Sequence, residues 1–250
     1  MSGLRLLTLG VGDAFSALYY SSCFALEAQG QWLLVDCPHP IRKIVREGAC
    51  AAGLSLDVDR IDAMILTHLH GDHASGVEGL AFYFRYVLGR KLRLITHPEV
   101  AAQLWTGHLA GGMEWSLRET GEPPVRRKLD EFLEVIAVEE NQALHQGPFR
   151  LTCRKTIHNI PTIALVIQAA GRTLGYSADT AYDPGLVDWL APADLIVHEA
   201  CGGFLHTPYE VLLGLPEEIR AKMRILHYPD TFEVGTSAIE PLHQGRIYYV

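Results

Sequence analysis

Three histidines and one aspartate lie within six consecutive residues of this chain, in the order His68-x-His70-x-Asp72-His73. Imidazole nitrogens and carboxylate oxygens are ligands that suit zinc, and also manganese or iron. In an extended chain the side chains of His68 and His70 point the same way. Gly71 allows a turn, so Asp72 and His73 can face the same point from a following loop or helix start. The spacing predicts two adjacent divalent metal ions, an arrangement that activates water for hydrolysis.

Short strands that end at acids or histidines must position this motif. Ile61–Thr67 reads as a buried strand that runs directly into His68. Chemistry is commonly placed where a rigid element ends. We predict the remaining strands at Leu4–Leu9, Cys23–Gln29, Gln31–Asp36, Arg150–Thr156, Ile163–Ala169, Arg172–Ser177, Leu195–His198 and Arg224–Leu226, with helices at Arg42–Ala51 and Glu217–Met223.

The composition is that of a globular α/β protein with a large core. Of the 250 residues, 48% are hydrophobic and 20% are charged, and the apolar runs are too short to span a bilayer. The net charge of −8 gives no global attraction for nucleic acid, so an anionic substrate would have to be held by local positive charge, including metal. The five cysteines are scattered, without C-x-x-C spacing, which favours a reducing, cytoplasmic location.

The segment from about residue 80 to 130 differs from the rest. Residues 81–130 contain eight Lys and Arg against five Asp and Glu. The segment is either a solvated surface excursion or a cap or dimer arm that brings positive charge to an anionic substrate. Its predicted elements are helices at Leu80–Leu88 and Glu99–Trp105, a strand at Leu92–Thr96 and a turn at Gly111-Gly112.

The His-x-His-x-Asp-His motif resembles the signature of the metallo-β-lactamase superfamily. Further family positions are matched in the same order by Asp36, His158, Asp179 and His227, so the resemblance covers nearly the whole chain. It implies the αββα metallo-β-lactamase sandwich, an α/β fold. We therefore expect a single domain over residues 1–250 with an inserted arm or cap at about 80–130.

The same resemblance implies two metal sites and a metal-bound hydroxide as nucleophile. The cofactors would be two divalent ions, zinc first, with manganese or iron as alternatives. The implied ligands are His68, His70, His158 and Asp179 for one ion, and Asp72, His73, Asp179 and His227 for the other.

The segment after Asp179 is similar to the ribonuclease Z-like branch of that superfamily. It reads His198-Glu199-Ala200-Cys201, then His206-Thr207 and finally Leu226-His227; Cys201 stands where the branch has threonine. The resemblance implies that His206 protonates the leaving oxygen and that Glu199 orients His206. Asp72, His206 and Glu199 are thus the predicted catalytic residues.

Two kinds of substrate remain open for this branch. The acidic composition favours a phosphodiesterase for a small or cyclic nucleotide over a tRNA 3′-processing endonuclease. The expected substrate is therefore a small anionic molecule. A lactonase or hydrolytic dehalogenase could use the same metal ligands without His206. We also expect a homodimer and no membrane partner. The other six histidines are expected to be structural, with His39 closest in sequence to Asp36.

Overall fold

The computed structural model describes residues 3–117 and 119–250 of the chain. The strands are β1 (Arg5–Gly10), β2 (Cys23–Ala28), β3 (Gln31–Val35), β4 (Ile61–Ile65), β5 (Leu92–Thr96), β6 (Trp115–Ser116), β7 (Val125–Arg126), β8 (Leu133–Ala137), β9 (Leu144–Gln146), β10 (Phe149–Lys155), β11 (Ile163–Ala169), β12 (Arg172–Tyr176), β13 (Leu195–Glu199), β14 (Met223–Leu226) and β15 (Ile247–Tyr249). The helices are α1 (Ile41–Ala51), α2 (Gly71–Ala74), α3 (Val77–Phe82), α4 (Pro98–Gln103), α5 (Ala110–Met113), α6 (Pro184–Leu190), α7 (Tyr209–Leu213) and α8 (Glu217–Arg220).

Two large sheets contain nearly all of these strands. The first sheet has the order β15-β1-β2-β3-β4-β5-β8, and the second has the order β14-β13-β12-β11-β10-β9. β3, β4, β5 and β8 run parallel to one another, as do β12, β13 and β14. Parallel strands present their carboxyl ends at the same edge of a sheet, so the residues that follow them are brought together.

The two sheets pack face to face, and helices cover their outer faces. Phe24 of β2 meets Tyr176 of β12 in an edge-to-face contact across the sandwich, with ring centroids 5.0 Å apart. On the outer face of the first sheet, Leu7 lies in one buried cluster with residues of α1 and α3. On the second sheet, a Cβ added to Gly175 would lie 3.0 Å from Leu190 of α6. These layers are the predicted αββα sandwich, and the fold class is confirmed.

The segment predicted as an inserted arm or cap, about residues 80–130, contains a strand of the first sheet. β5 pairs in parallel with both β4 and β8, so it is an interior strand of the first sheet. Leu80 and Phe84, which precede β5, are buried in the core. The buried apolar side chains of this stretch tie it to the first sheet.

Several predicted element boundaries also change. The expected turn at Gly111-Gly112 is wrong, because both residues lie in α5. The helices predicted at Leu80–Leu88 and Glu99–Trp105 are each an α-helix that continues into a wider π-helical turn. Met223 starts β14 instead of ending a helix. Within residues 3–117 and 119–250, no helix combines the length and the apolar character that crossing a bilayer requires.

Candidate metal centre

The carboxyl ends of the strands deliver the predicted ligands to one edge of the sandwich. In the first sheet, Asp36 directly follows β3 and His68 follows β4, while α2 carries Asp72 and His73. In the second sheet, His158 follows β10, Asp179 follows β12 and His227 follows β14. Residues far apart in the chain therefore meet where the two sheets adjoin.

One group of potential ligands consists of His68, His70, His158 and Asp179. The ligand atoms of all four lie within 4.8 Å of one another. Nε2 of His158 lies 3.1 Å from Nδ1 of His70, and Nε2 of His68 lies 3.6 Å from Oδ2 of Asp179. This grouping matches the set of residues that the family resemblance implied for one ion.

A second group consists of Asp72, His73, Asp179 and His227, again with ligand atoms within 4.8 Å of one another. Nε2 of His73 lies 3.3 Å from Oδ2 of Asp72 and 3.3 Å from Oδ1 of Asp179. Nε2 of His227 lies 3.5 Å from Oδ2 of Asp179. Asp179 belongs to both groups, so its carboxylate stands where it could bridge two ions.

Neighbouring groups hold the ring nitrogens that face away from the cluster. Nδ1–H of His158 donates to the carbonyl oxygen of Leu205 at 3.2 Å, and Nδ1–H of His227 donates to Oγ of Ser22 at 3.2 Å. A hydrogen bond on the outer nitrogen fixes the ring orientation and the tautomer, so that the other nitrogen can bind a metal. Leu205 and Ser22 have no sequence pattern that would have revealed this role.

Asp36 organises the histidines of the first sheet without reaching the cluster itself. Its buried carboxylate accepts hydrogen bonds from Nδ1–H of His73 at 3.0 Å and from the backbone N–H of Thr67 at 2.9 Å. The Thr67 hydroxyl donates to Asp36 and accepts from Nδ1–H of His68 at 2.9 Å. The family resemblance identified Asp36 from the sequence, but only the structure shows its hydrogen-bond partners.

The buried polar atoms that face the centre of the cluster fit divalent metal ions. Among the described residues, Nε2 of His68, Oδ2 of Asp72, Nε2 of His73 and Oδ1 of Asp179 are buried and have no hydrogen-bond partner. Unpaired buried polar atoms are costly and rare in folded proteins, so several that converge on one point favour a bound group. Seven nitrogen and oxygen ligands without cysteine suit zinc, manganese or iron.

The ionisation of the carboxylates in this cluster also suits a cation. Burial, together with the neighbouring His73, holds the pKa of His68 well below its usual range. Burial raises the pKa of Asp72 and Asp179, but the surrounding histidines outweigh burial and lower both values overall. Burial lowers the pKa of His73, yet the carboxylates of Asp179, Asp72 and Asp36 raise it on balance. The cluster thus contains ionised carboxylates, whose charge divalent ions would neutralise.

Glu199 and His206 form a pair directly beside the two ligand groups. Nδ1 of His206 lies 2.9 Å and 3.1 Å from the two carboxylate oxygens of Glu199, and 4.0 Å from Oδ2 of Asp179. Burial and the nearby Asp179 raise the pKa of Glu199 well above its usual range. The His206 side chain remains 21% exposed, whereas that of Glu199 is 1% exposed. The imidazole can therefore contact a substrate while a buried acid holds it in place.

Among the other histidines, those that the structure gives a clear role are structural. His97 caps the amino terminus of α4, where its Nδ1 accepts from the backbone N–H of Glu99. His198 is buried in β13, and burial lowers its pKa to about 4. His39 is exposed and belongs to none of the ligand groups. The cluster comprises the residues that the sequence predicted, and His39 does not join them.

Comparison with known proteins identifies a family for this chain. The sequence model of the family described as anti-Pycsar protein Apyc1 matches residues 4–247. The anti-Pycsar protein Apyc1 of Bacillus phage 010DV004 is 30% identical over 261 residues, covering 98% of each chain. The protein of the same name from Saccharibacillus brassicae is 29% identical over 257 residues, covering 98% of this chain and 99% of its own.

Solved structures share the fold at lower identity. The metallo-β-lactamase fold protein YhfI from Bacillus subtilis superposes with a TM-score of 0.77 and 20% identity, over 99% of both chains. The short form of human tRNase Z superposes with a TM-score of 0.68 and 18% identity, over 98% of both chains. These neighbours share the metallo-β-lactamase fold that the sequence motif predicted.

Proposed function

The chain belongs to the anti-Pycsar protein Apyc1 family, and from that premise we propose that it is a two-metal phosphodiesterase that hydrolyses a cyclic nucleotide. The observation that carries the proposal is the shared position of Asp179 between two groups of inward-facing ligands, with the Glu199–His206 pair at 4.0 Å from the same carboxylate. This arrangement supports hydrolysis of a phosphodiester with proton transfer to the leaving oxygen.

The residues of the cluster would hold two divalent ions, each with four protein ligands when the shared Asp179 is counted for both. Such ions, when bound, polarise phosphoryl oxygens and lower the pKa of coordinated water. His68, His70 and His158 face one position, and Asp72, His73 and His227 face the other. Asp36, Ser22 and the Leu205 carbonyl keep the histidine rings in orientation. Zinc is the first choice for this ligand set, with manganese and iron as alternatives.

His206 would donate a proton to the leaving oxygen. Opening a cyclic phosphodiester expels a ribose alkoxide, which departs more easily when it is protonated. The contact between Glu199 and Nδ1 of His206 directs Nε2 away from the acid, as a carboxylate does in other acid–histidine pairs. The raised pKa of Glu199 favours keeping a proton within the pair. Glu199 is thus a positioning residue for His206.

A small substrate suits this chain better than a tRNA. Arg126 pairs with Glu114, with Nη2 to Oε1 at 2.7 Å, and Arg127 pairs with Glu131, with Nη1 to Oε2 at 3.0 Å. These pairs neutralise two of the basic residues that a projecting arm would use to bind a phosphate backbone. The net charge of −8 also disfavours the binding of a tRNA.

A hydrolysis panel with zinc-loaded protein tests the proposal. It comprises 3′,5′- and 2′,3′-cyclic nucleotides, bis-p-nitrophenyl phosphate, pre-tRNA, a lactone and a chloroaromatic compound. We expect turnover of a cyclic nucleotide to a mononucleotide, with little or none of the pre-tRNA. Efficient hydrolysis of the lactone or the chloroaromatic without any phosphodiester hydrolysis would overturn the proposal, because those reactions do not need His206.

A further inference from the structure

Phe15 and Phe204 are the two most exposed large hydrophobic side chains among the described residues, at 93% and 88% exposure. Burying a phenylalanine side chain stabilises a protein, but single exposed aromatics are common on surfaces. Exposure alone therefore does not indicate a binding surface. The placement of both rings on loops that hold the ligand histidines is what distinguishes them.

Phe15 lies on the β1–β2 loop, residues 11–22, which is anchored beside His227. Oγ of Ser22 accepts from Nδ1–H of His227 at 3.2 Å. At the tip of the loop, the backbone N–H of Ala17 donates to Asp230 at 2.8 Å, three residues after His227. The β1–β2 loop therefore lies beside His227, at one side of the cluster.

Phe204 lies on the loop after β13, residues 200–205, which is anchored beside His158. The carbonyl oxygen of Leu205 accepts from Nδ1–H of His158 at 3.2 Å, and His206 follows immediately. Gly203 adopts a φ of +100°, which side-chain-bearing residues rarely adopt. This turn presents Phe204 to solvent on the side of the cluster where His206 lies.

The carboxylate of Asp13 joins the bases of the two loops. Its Oδ1 accepts from the backbone N–H of Phe15 at 3.0 Å, and its Oδ2 accepts from Sγ–H of Cys201 at 3.7 Å. Asp13 is itself 7% exposed. A single buried side chain thus sets the position of both phenylalanine-bearing loops relative to each other and to the cluster.

We propose that Phe15 and Phe204 form an aromatic surface at the mouth of the cluster that binds the base of a nucleotide. This inference rests on the proposed phosphodiesterase function and deepens it, because it assigns the nucleobase to a named surface. Aromatic rings stack on the flat faces of bases, and each such contact is lost on replacement by alanine. A substrate without a base would gain nothing from this surface.

Equilibrium binding tests the proposal separately from catalysis. Isothermal titration calorimetry on zinc-loaded protein measures the affinity for a 5′-mononucleotide and for ribose 5-phosphate, which lacks the base. Phe15→Ala with Phe204→Ala should weaken nucleotide binding about 10- to 100-fold, and should leave ribose 5-phosphate within about twofold. Phe15→Tyr with Phe204→Tyr should retain nucleotide affinity. Tyr249→Ala, an exposed aromatic beside the start of β1, is the matched control.

The outcomes separate this proposal from the proposed function. Absence of cyclic nucleotide hydrolysis by the unaltered protein would refute the phosphodiesterase, whereas a base-dependent loss of binding would still support the aromatic surface. Equal weakening of both ligands, or of neither, would overturn the aromatic surface, as would a chain that binds no nucleotide. Light scattering tests the alternative that the two rings form a subunit interface. If the double alanine variant converts a dimer to monomers and retains its nucleotide affinity, the rings form a subunit interface and do not bind the base.

Discussion

At the scale of single residues, His73 depends on an acid that does not face the candidate ions. Asp36 accepts from Nδ1–H of His73 and from Thr67, and all three residues are buried. Removing the acceptor leaves His73 without its outer hydrogen bond, and the ring becomes free to change its tautomer. Outer partners of this kind contribute substantially to metal affinity.

Asp36→Ala should therefore lower the affinity for the ion at the Asp72–His73–His227 position by about 10- to 100-fold. The other ion should be affected less, because Asp36 reaches His68 only through Thr67. Zinc titration against a competing chelator measures both steps. Asp59→Ala, at an exposed aspartate, is the control. Two unchanged binding steps would show that Asp36 serves folding alone.

His206→Ala isolates proton transfer from metal binding. His206 lies beside the two main ligand groups, so the variant should retain both ions. Losing a positioned general acid should lower kcat on a cyclic nucleotide by about 10²–10⁴-fold, with a smaller change in KM. The loss should shrink on bis-p-nitrophenyl phosphate, whose leaving group departs unprotonated. His145→Ala, at an exposed histidine, should behave like the unaltered protein. Equal losses on both esters would indicate a positioning role instead.

At the scale of secondary structure elements, the strand ends turn sharply to bring their residues inward. Asp36, Ala178 and His227 have φ values of 61°, 50° and 55°, in the left-handed region that non-glycine residues rarely adopt. They follow β3, β12 and β14. Left-handed residues of this kind cost about 1–3 kcal/mol each and concentrate at functional sites. The fold thus contains strained backbone conformations at the strand ends that carry the candidate ligands.

β13 also contains a buried histidine that predicts a pH dependence of folding. Burial lowers the pKa of His198 to about 4, while its usual value is 6.5. Protonation therefore favours the unfolded chain. The stabilising contribution is complete above pH 6.5 and is lost progressively as the pH falls towards 4, by a total of roughly 3 kcal/mol.

His198→Asn removes this titration and retains a side-chain donor. Chemical denaturation of both proteins between pH 8 and about pH 4 gives two curves of unfolding free energy. Because every other titrating group is shared, their difference isolates His198. We expect the variant to lose less stability towards low pH. Parallel curves would show that His198 keeps an ordinary pKa.

At the scale of the whole molecule, the sequence predicted the candidate metal ligands better than the groups that orient them. The local motif from His68 to His73 has a fixed spacing, and His158, Asp179 and His227 follow in family order, so these candidate ligands were recognisable. The Ser22 hydroxyl and the Leu205 carbonyl were not, because such contacts depend on which loops meet in space. The place of the residue 80–130 segment was not recognisable for a similar reason: the sequence predicted the strand at Leu92–Thr96, but only its pairing with β4 and β8 shows that it belongs to the first sheet.

Metal binding should also stabilise the whole molecule, because the ligands come from both sheets. A ligand present at 100 times its dissociation constant stabilises the folded state by about 2.7 kcal/mol. For a chain of this length, that corresponds to a rise in Tm of about 5–10 °C. Differential scanning fluorimetry with zinc and with a chelator measures it. Asp179→Ala should abolish most of the rise, since both ligand groups share that carboxylate. A Tm that does not respond to zinc would contradict metal binding across the sheets.

The proposed phosphodiesterase function requires two metal ions bound together in this chain. The most direct test adds zinc in steps to metal-free protein and measures hydrolysis of a 3′,5′-cyclic nucleotide after each step. We expect activity to rise until two equivalents per chain are bound, and Asp179→Ala to stay inactive throughout. Full activity at one equivalent, or none after two equivalents have bound, would contradict the claim.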